Sequence, residues 1–289
     1  MIFKGNCTAL VTPFNKSGTK INYEALKKLI DMQLSSNCSA ILFIGTTGES
    51  TTLSQKEKYE LAKFGIEYVN HKVPVIVGAG SNSTKEAIEK SKIYESLGAD
   101  ALLHVTPYYN KCTQTGLLHH YTAIADSVNI PIILYNVPSR TGVNILPETI
   151  RILSKHKNIK GIKEASGNMA QIAEILRTCS KDFAVYSGDD SLVVPILSLG
   201  GKGVISVTGN ISPYLMQTMC DAYFKGNTLY ACELQHKLAP LINALFSEVN
   251  PIPVKEALNL LGLDVGPCRL PLTKISTKNK HKLKKLLGI

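Results

Sequence analysis

Lys163 closes a short apolar run, Ile159-Lys160-Gly161-Ile162-Lys163, and Glu164-Ala165-Ser166-Gly167-Asn168 follows at once. The run reads as a buried strand, and Ser166 and Asn168 suit a loop that leads into a capped helix N-terminus. A lysine at such a strand end admits two readings. Its ammonium emerges into solvent where the strand stops, or it is held in an apolar pocket. Enclosure of that kind favours the neutral amine, which attacks carbonyl carbons.

Other chemically capable residues fall in short polar segments that each end an apolar run. They are Gly45-Thr46-Thr47-Gly48-Glu49-Ser50, Thr106-Pro107-Tyr108-Tyr109-Asn110, Tyr135-Asn136-Val137-Pro138-Ser139-Arg140-Thr141-Gly142 and, after Ile205, Thr208-Gly209-Asn210. Each has a plain structural explanation beside the chemical one. The Gly-Thr-Thr-Gly segment is a tight turn, or a turn whose backbone N–H groups approach a carboxylate. Tyr108, Tyr109 and Tyr135 are packing aromatics or proton carriers. Arg140 is a surface cation or a carboxylate ligand. Asp189 and Asp190 most simply cap the next helix, since neighbouring residues do not share a face as a carboxylate pair must. Taken together, a lysine, phenols, threonine hydroxyls and an arginine supply an imine-forming site. The phenol moves protons, the hydroxyls relay them, and the arginine and backbone hold carboxylates.

Such residues act together only if the fold gathers them. Eight short, mostly β-branched runs recur: Cys7–Val11, Ala40–Ile44, Val75–Val77, Ala101–Val105, Ile132–Tyr135, Ile159–Lys163, Ala184–Tyr186 and Val204–Val207. Their length and lack of alternation predict strands buried on both faces, as in a parallel sheet. Helical patterns fill the gaps. Asn22 caps one, Ser54-Gln55-Lys56-Glu57 and Ser83-Thr84-Lys85-Glu86 read as capping boxes, Gly98 ends the helix that Ser83 opens, and Pro147 fits a first turn. Further helices follow Asn168 and Asp190. Alternating strands and helices, with no Gly-x-Gly-x-x-Gly after the first strand and no long linker, predict a closed (β/α)8 TIM barrel over residues 1–225. Its active site lies at the C-terminal ends of the strands, where all the segments above fall. Residues 226–289 read as a C-terminal helical extension packed on the barrel, with Pro213, Pro240, Pro251, Pro253 and Gly262 as breakpoints beyond Ile211.

Composition narrows the function. The apolar fraction is 44%, as in an ordinary globular protein. The net charge of +10 is concentrated in the lysine-rich stretch from Thr277 to Lys285, where cations favour the end of a terminal helix. With no Trp, no basic-aromatic interleaving and no binding motif, this charge does not make a nucleic-acid protein. It helps attract anionic substrates. The 7 cysteines form no Cys-x-x-Cys pair and no zinc-spaced cluster, which fits thiols in a reducing compartment. No long apolar run marks a signal peptide or membrane span, so the expected location is the cytoplasm, away from membranes. Without a histidine cluster, no metal is expected. A metal-dependent aldolase and a noncatalytic binding protein are the competing classes.

The ordered set Gly45-Thr-Thr-Gly-Glu-Ser, Tyr108-Tyr-Asn, Tyr135-Asn-Val-Pro-Ser-Arg-Thr-Gly and Gly161-Ile-Lys-Glu-Ala-Ser-Gly resembles the dihydrodipicolinate synthase family, whose members are pyruvate-dependent aldolases working through a lysine imine. The resemblance runs from about Gly5 to the C-terminal helices. It implies condensation of pyruvate with L-aspartate 4-semialdehyde to 4-hydroxy-tetrahydrodipicolinate, in lysine and diaminopimelate biosynthesis, with no cofactor. Lys163 then corresponds to the Schiff-base lysine and Tyr135 to the proton donor and acceptor beside it. Thr46 and Tyr109 match the rest of the proton relay, with Tyr109 lent across a tight dimer interface. Thr47 and the backbone of Ile205 match pyruvate contacts, and Arg140 the ligand for the aldehyde's carboxylate. The family expectation for assembly is a homotetramer of tight dimers. Related lyases that act on N-acetylneuraminate or 2-keto-3-deoxy sugar acids are the alternative. The second threonine of Gly45-Thr46-Thr47-Gly48 and Arg140 favour the synthase. Family members inhibited by lysine use histidines where this chain has Gln55 and Lys58. Asn82, Glu86 and Tyr108 do match that site, but Lys58 repels a cationic inhibitor, so weak or no inhibition is expected.

Overall fold

The apolar runs become strands because each can bury both faces, one toward a barrel centre and one toward covering helices. In the computed structural model, which describes residues 1–289, the strands are β1 (Gly5–Ala9), β2 (Ala40–Phe43), β3 (Val75–Gly78), β4 (Ala101–Val105), β5 (Ile132–Asn136), β6 (Ile159–Glu164), β7 (Ala184–Ser187) and β8 (Gly203–Ser206). All pair in parallel in chain order, and β8 closes on β1, as the (β/α)8 pattern predicts. The barrel helices are α1 (Tyr23–Ser35), α2 (Gln55–Val69), α3 (Thr84–Ser96), α4 (Gln114–Asp126), α5 (Pro138–Thr141), α6 (Pro147–Leu153), α7 (Met169–Thr178), α8 (Val193–Ser198) and α9 (Pro213–Phe224). Three more follow: α10 (Thr228–Leu245), α11 (Ile252–Leu260) and α12 (Thr277–Leu287).

Alternate residues along each strand sort into two apolar cores. Leu42, Ile76, Leu103, Ile133, Tyr135 and Ile205 belong to the cluster that fills the barrel. Ile41, Val77, Leu102, Leu134 and Ile162 belong to the cluster packed under the helices. Because Ile162 points outward, the period of two turns Lys163 inward. Phe3 closes the opposite end of the barrel, stacked on Tyr186 with ring centroids 4.0 Å apart.

Several boundaries differ from the sequence expectation for identifiable reasons. β1 ends before Val11, whose N–H donates to Asn210 Oδ1 at 3.1 Å and so leaves the ladder. β2 stops at Phe43 because Ile44 takes a positive φ of 59°. That conformation is unusual for a β-branched residue and sits immediately before the Gly-Thr-Thr-Gly segment. Ser54 and Glu57 form both arms of a capping box. Ser83 does not. Its hydroxyl accepts from Glu86 N, but the Glu86 carboxylate turns instead to Ser81 Oγ at 2.7 Å and Lys90 Nζ at 2.6 Å. Pro240 is no breakpoint, since it lies inside α10. The two aspartates also part company. Asp189 caps a short 3-10 turn, whereas Asp190 is buried and accepts from Val207 N, Thr208 N and Thr208 Oγ1 at 2.7–3.1 Å. Burial pushes its carboxyl pKa up, against these hydrogen bonds. It holds the loop that leaves β8.

Candidate active site

β5 and β6 place Tyr135 and Lys163 as register partners on adjacent strands, near their C-terminal ends. Lys163 is only 6% exposed, and its Nζ lies 4.4 Å from the Tyr135 ring centroid. No carboxylate or hydrogen-bond acceptor pairs with that Nζ. A buried ammonium normally has such a partner, so the bare amine is the site's most informative feature. Its space depends on Gly188 at the end of β7, where a Cβ would lie 2.7 Å from Ala165 Cβ and 3.1 Å from Lys163 Cε.

Lys163, Tyr135, Thr46 and Thr47 line two adjoining cavities. The outer one, about 360 Å³, reaches Ser139, Arg140, Asp189 and Asn250. The inner one, about 90 Å³, extends between α2 and α3 toward Lys58, Lys90, Tyr94 and Tyr108. Thr46 and Thr47 arrive on the loop after β2, whose shape is enforced from below and from outside. Gly78 admits the Ile44 carbonyl oxygen, which a Cβ there would meet at 2.2 Å. Glu49, at a φ of 53°, accepts from Lys255 Nζ at 2.7 Å and from Arg269 N at 2.8 Å. Arg269 in turn grips Glu57 of α2 and holds its carboxyl down at about 2, mainly through their side-chain hydrogen bonds.

Five of the seven sequence-predicted positions therefore meet in one place: Lys163, Tyr135, Thr46, Thr47 and Arg140. Ile205 lies within the barrel-filling cluster that also contains Tyr135, and Val207 rather than Ile205 lines the outer cavity. Tyr109 lines neither cavity. It is 92% exposed, at a φ of 73°.

Sequence reading missed three supports. Asn250, passed over among the proline breakpoints, donates through Nδ2 to Thr47 Oγ1 at 3.0 Å. Its carbonyl accepts from Arg140 Nη2 at 3.4 Å. Because Thr47 Oγ1 accepts there, its own O–H is free to donate to a ligand oxygen. The second support is Glu164, buried beside Lys163 in sequence but facing the other side of the strand. It accepts from Asn136 Nδ2 at 3.1 Å, Ser166 N at 2.8 Å and Gln171 Nε2 at 3.2 Å. Burial raises its carboxyl pKa and these donors counter the rise. Asn136 also accepts from Ile145 N, so one network ties the ends of β5 and β6 to the loop that carries Arg140. The third is the buried Lys255–Glu49 pair. No signal short of the three-dimensional contact would have joined positions so far apart in the chain. No group of three or more His, Cys, Asp or Glu is placed to hold a metal ion.

A closed parallel barrel with an unpaired lysine and a phenol at its C-terminal end defines a class: (β/α)8 lyases equipped for imine chemistry. Comparison with known proteins narrows it. The family model described as the dihydrodipicolinate synthetase family matches residues 2–289. A protein of Thermoanaerobacter sp. (strain X514) named 4-hydroxy-tetrahydrodipicolinate synthase is 53% identical over 288 residues, 99% of this chain and 96% of that one. The crystal structure of dihydrodipicolinate synthase from Thermotoga maritima superimposes with a TM-score of 0.97 at 44% identity, covering 100% of this chain and 98% of that one. A DHDPS from Cyanidioschyzon merolae, solved with lysine bound, gives 0.97 at 45% identity over 99% and 98% of the two chains. The chain belongs to the dihydrodipicolinate synthetase family.

Proposed function

We propose that this protein joins pyruvate to L-aspartate 4-semialdehyde through a Lys163 Schiff base, giving 4-hydroxy-tetrahydrodipicolinate for lysine and diaminopimelate biosynthesis. The observation that carries the reading is Lys163: buried, unpaired, and 4.4 Å from the Tyr135 ring at the junction of two cavities. Its Nζ attacks the keto carbon of pyruvate, and water leaves as the imine forms. The iminium acidifies the methyl group, so loss of a proton gives an enamine. The enamine carbon attacks the aldehyde, a new C–C bond forms, and the oxygen takes a proton to become the 4-hydroxyl. The substrate's own amine then attacks the imine carbon, expels Lys163 and closes the ring. One water is released overall.

We assign the movement of these protons to Tyr135, relayed by Thr46. Thr47 donates to the pyruvate carboxylate, the Ile205 backbone makes a further pyruvate contact, and Arg140 holds the carboxylate of the aldehyde. Tyr109 completes the relay from a second copy of the chain. Its exposure and positive φ suit a residue displayed for a partner rather than for its own cavity. That role calls for a dimer, and a tetramer of such dimers is the assembly expected from the family. Residues 226–289 serve as an extension whose Asn250 and Lys255 brace the catalytic barrel. The chemistry asks for no metal or nucleotide, and the protein acts in the cytoplasm. No helix is long and apolar enough to cross a membrane.

Borohydride treatment in the presence of pyruvate tests the imine, and pyruvate consumption with aspartate semialdehyde tests the acceptor. The expected outcome is a reduced pyruvyl adduct on Lys163, located by peptide mass, together with turnover that needs the aldehyde. An adduct without turnover would transfer the protein to the sugar-acid lyases. No adduct would overthrow the imine.

A further inference from the structure

The inner cavity is lined by three lysines, Lys58, Lys90 and Lys163, and by no aspartate or glutamate. Only one of the three is answered by the protein. Glu86, beside the cavity, holds Lys90 at 2.6 Å, and its other contacts go to Ser81 and Gln55. Lys163 stands at one end. Lys58 on α2 is half-buried at the other and takes part in no ion pair. Its neighbours are hydroxyls that the protein also leaves free. Tyr94 is 2% exposed, yet its O–H meets no acceptor, and neither does that of Tyr108 or Ser50. Burial raises the pKa of Tyr94 and of Tyr108, which keeps both phenols protonated as donors. Uncompensated positive charge ringed by unused O–H donors is the complement of an anion.

We infer that the Lys58 end of the inner cavity is a second binding site, separate from the pyruvate position at Lys163, and that its ligand is a small carboxylate. The ligand is the reverse in charge of a cationic amino acid, which would meet Lys58 unfavourably and find Glu86 already committed. A volume of about 90 Å³ leaves room for a few water-sized groups. That suits a short-chain acid and excludes nucleotides and sugar phosphates. A carboxylate has two oxygens to share between the ammonium of Lys58 and the phenol of Tyr94, whereas a halide presents a single centre. Thr46, Thr47 and Tyr135 wall the same cavity. A ligand there lies against the proton relay from behind, so it slows turnover without taking the place of pyruvate.

Acetate is the probe, used at neutral pH and constant ionic strength. Pyruvate and borohydride first occupy Lys163 as the reduced adduct, and equilibrium dialysis of labelled acetate then reads the second site alone. The expected result is one saturable acetate site per chain. Lys58→Gln and Tyr94→Phe, which keep most of the volume and remove one donor each, should weaken it on the order of 10–100-fold, as for loss of a charged hydrogen bond. Lys58→Arg should restore it. In turnover assays acetate should lower kcat and leave the KM for pyruvate unchanged. No saturable binding, or equal binding by Lys58→Gln, overturns the site. Competition with pyruvate would place the acetate at Lys163 and overturn it as well, and tighter binding of bromide than of acetate overturns the carboxylate. Failure of the adduct to form strikes the imine and not this inference, because the same Lys58 comparison is then made on the unmodified protein.

Discussion

Two lysines are buried in this protein, one in the barrel and one in the helical extension, and they are buried differently. Lys163 stands 4.4 Å from the Tyr135 ring centroid and Lys255 stands 4.2 Å from that of Phe14. There the likeness ends. Lys255 is 1% exposed, donates to Glu49 at 2.7 Å and to the Pro267 carbonyl at 2.7 Å, and borders a separate cavity of about 900 Å³ that Lys163 does not line. Burial lowers its pKa and the Glu49 carboxylate opposes the change. Lys163 has neither carboxylate nor carbonyl, and its amine faces open space. A lysine that builds structure has its charge answered by the protein. One that does chemistry is left for a ligand to answer.

The sharpest way to break this contrast is to exchange the consequences. Lys163→Ala is expected to lower turnover on the order of 10⁴-fold or more, because the nucleophile itself is gone. Thermal stability should hold or rise, since an unpaired buried amine stabilises nothing. Glu49→Gln should do the reverse to first order. It leaves Lys255 buried and uncompensated, at a loss of about 3–5 kcal/mol in stability. Activity falls only as far as the Thr46-Thr47 loop loosens. Unfolding midpoints and initial rates of the two variants, measured side by side, decide it. Equal loss of stability in both would erase the distinction drawn here.

A second pair of buried groups sharpens the comparison through pH. His104 and His120 are buried with no carboxylate beside them, and burial holds their pKa values down at about 3 and about 4. A histidine whose folded pKa is depressed binds fewer protons folded than unfolded. Stability is therefore full above the ordinary histidine pKa and is lost as pH falls from about 6.5 toward those folded values, by up to about 1.4 kcal/mol per pH unit for His104. Glu57, held at about 2 by Arg269, adds its own loss only at lower pH, below its unfolded value. Urea unfolding at pH 7 and pH 5.5 should show the wild type weakening by roughly 2–3 kcal/mol, about half of it from each histidine. His104→Leu should weaken less over that interval. An identical pH dependence in the variant would remove His104 as the cause.

How much of this was legible beforehand follows the range of the interactions. The strands and the Ser54 cap are local patterns, so periodicity and spacing found them. The inward face of Lys163 followed from the period of two and needed no contacts. Ser83 misled because a capping box is also local, yet Glu86 found a better partner in Lys90 one helical turn away. Asn250, Lys255 and Arg269 act on loops more than two hundred residues earlier or across the barrel, and no spacing rule announces such contacts. Asp190 and Asp189 look alike in sequence and separate only when one of them is buried.

The smallest effect concerns the inner cavity, where the paired and unpaired lysines recur in miniature. Lys90 is neutralised by Glu86 at 2.6 Å. Lys58 has no carboxylate partner, and its pKa is lowered by burial first and by Lys90 second. An incoming L-lysine would bring further positive charge to Lys58 and would find Glu86 already engaged with Lys90, Ser81 and Gln55. The expected outcome is affinity weaker than about 1 mM and little change in rate at that concentration. Replacing Lys58 by histidine, kept neutral at pH 8, removes the repulsion and should strengthen any inhibition severalfold. Submillimolar inhibition of the wild-type enzyme would mean that Lys58 swings clear or that Glu86 exchanges Lys90 for the ligand. The engaged carboxylate would then be a switch rather than a fixed pair.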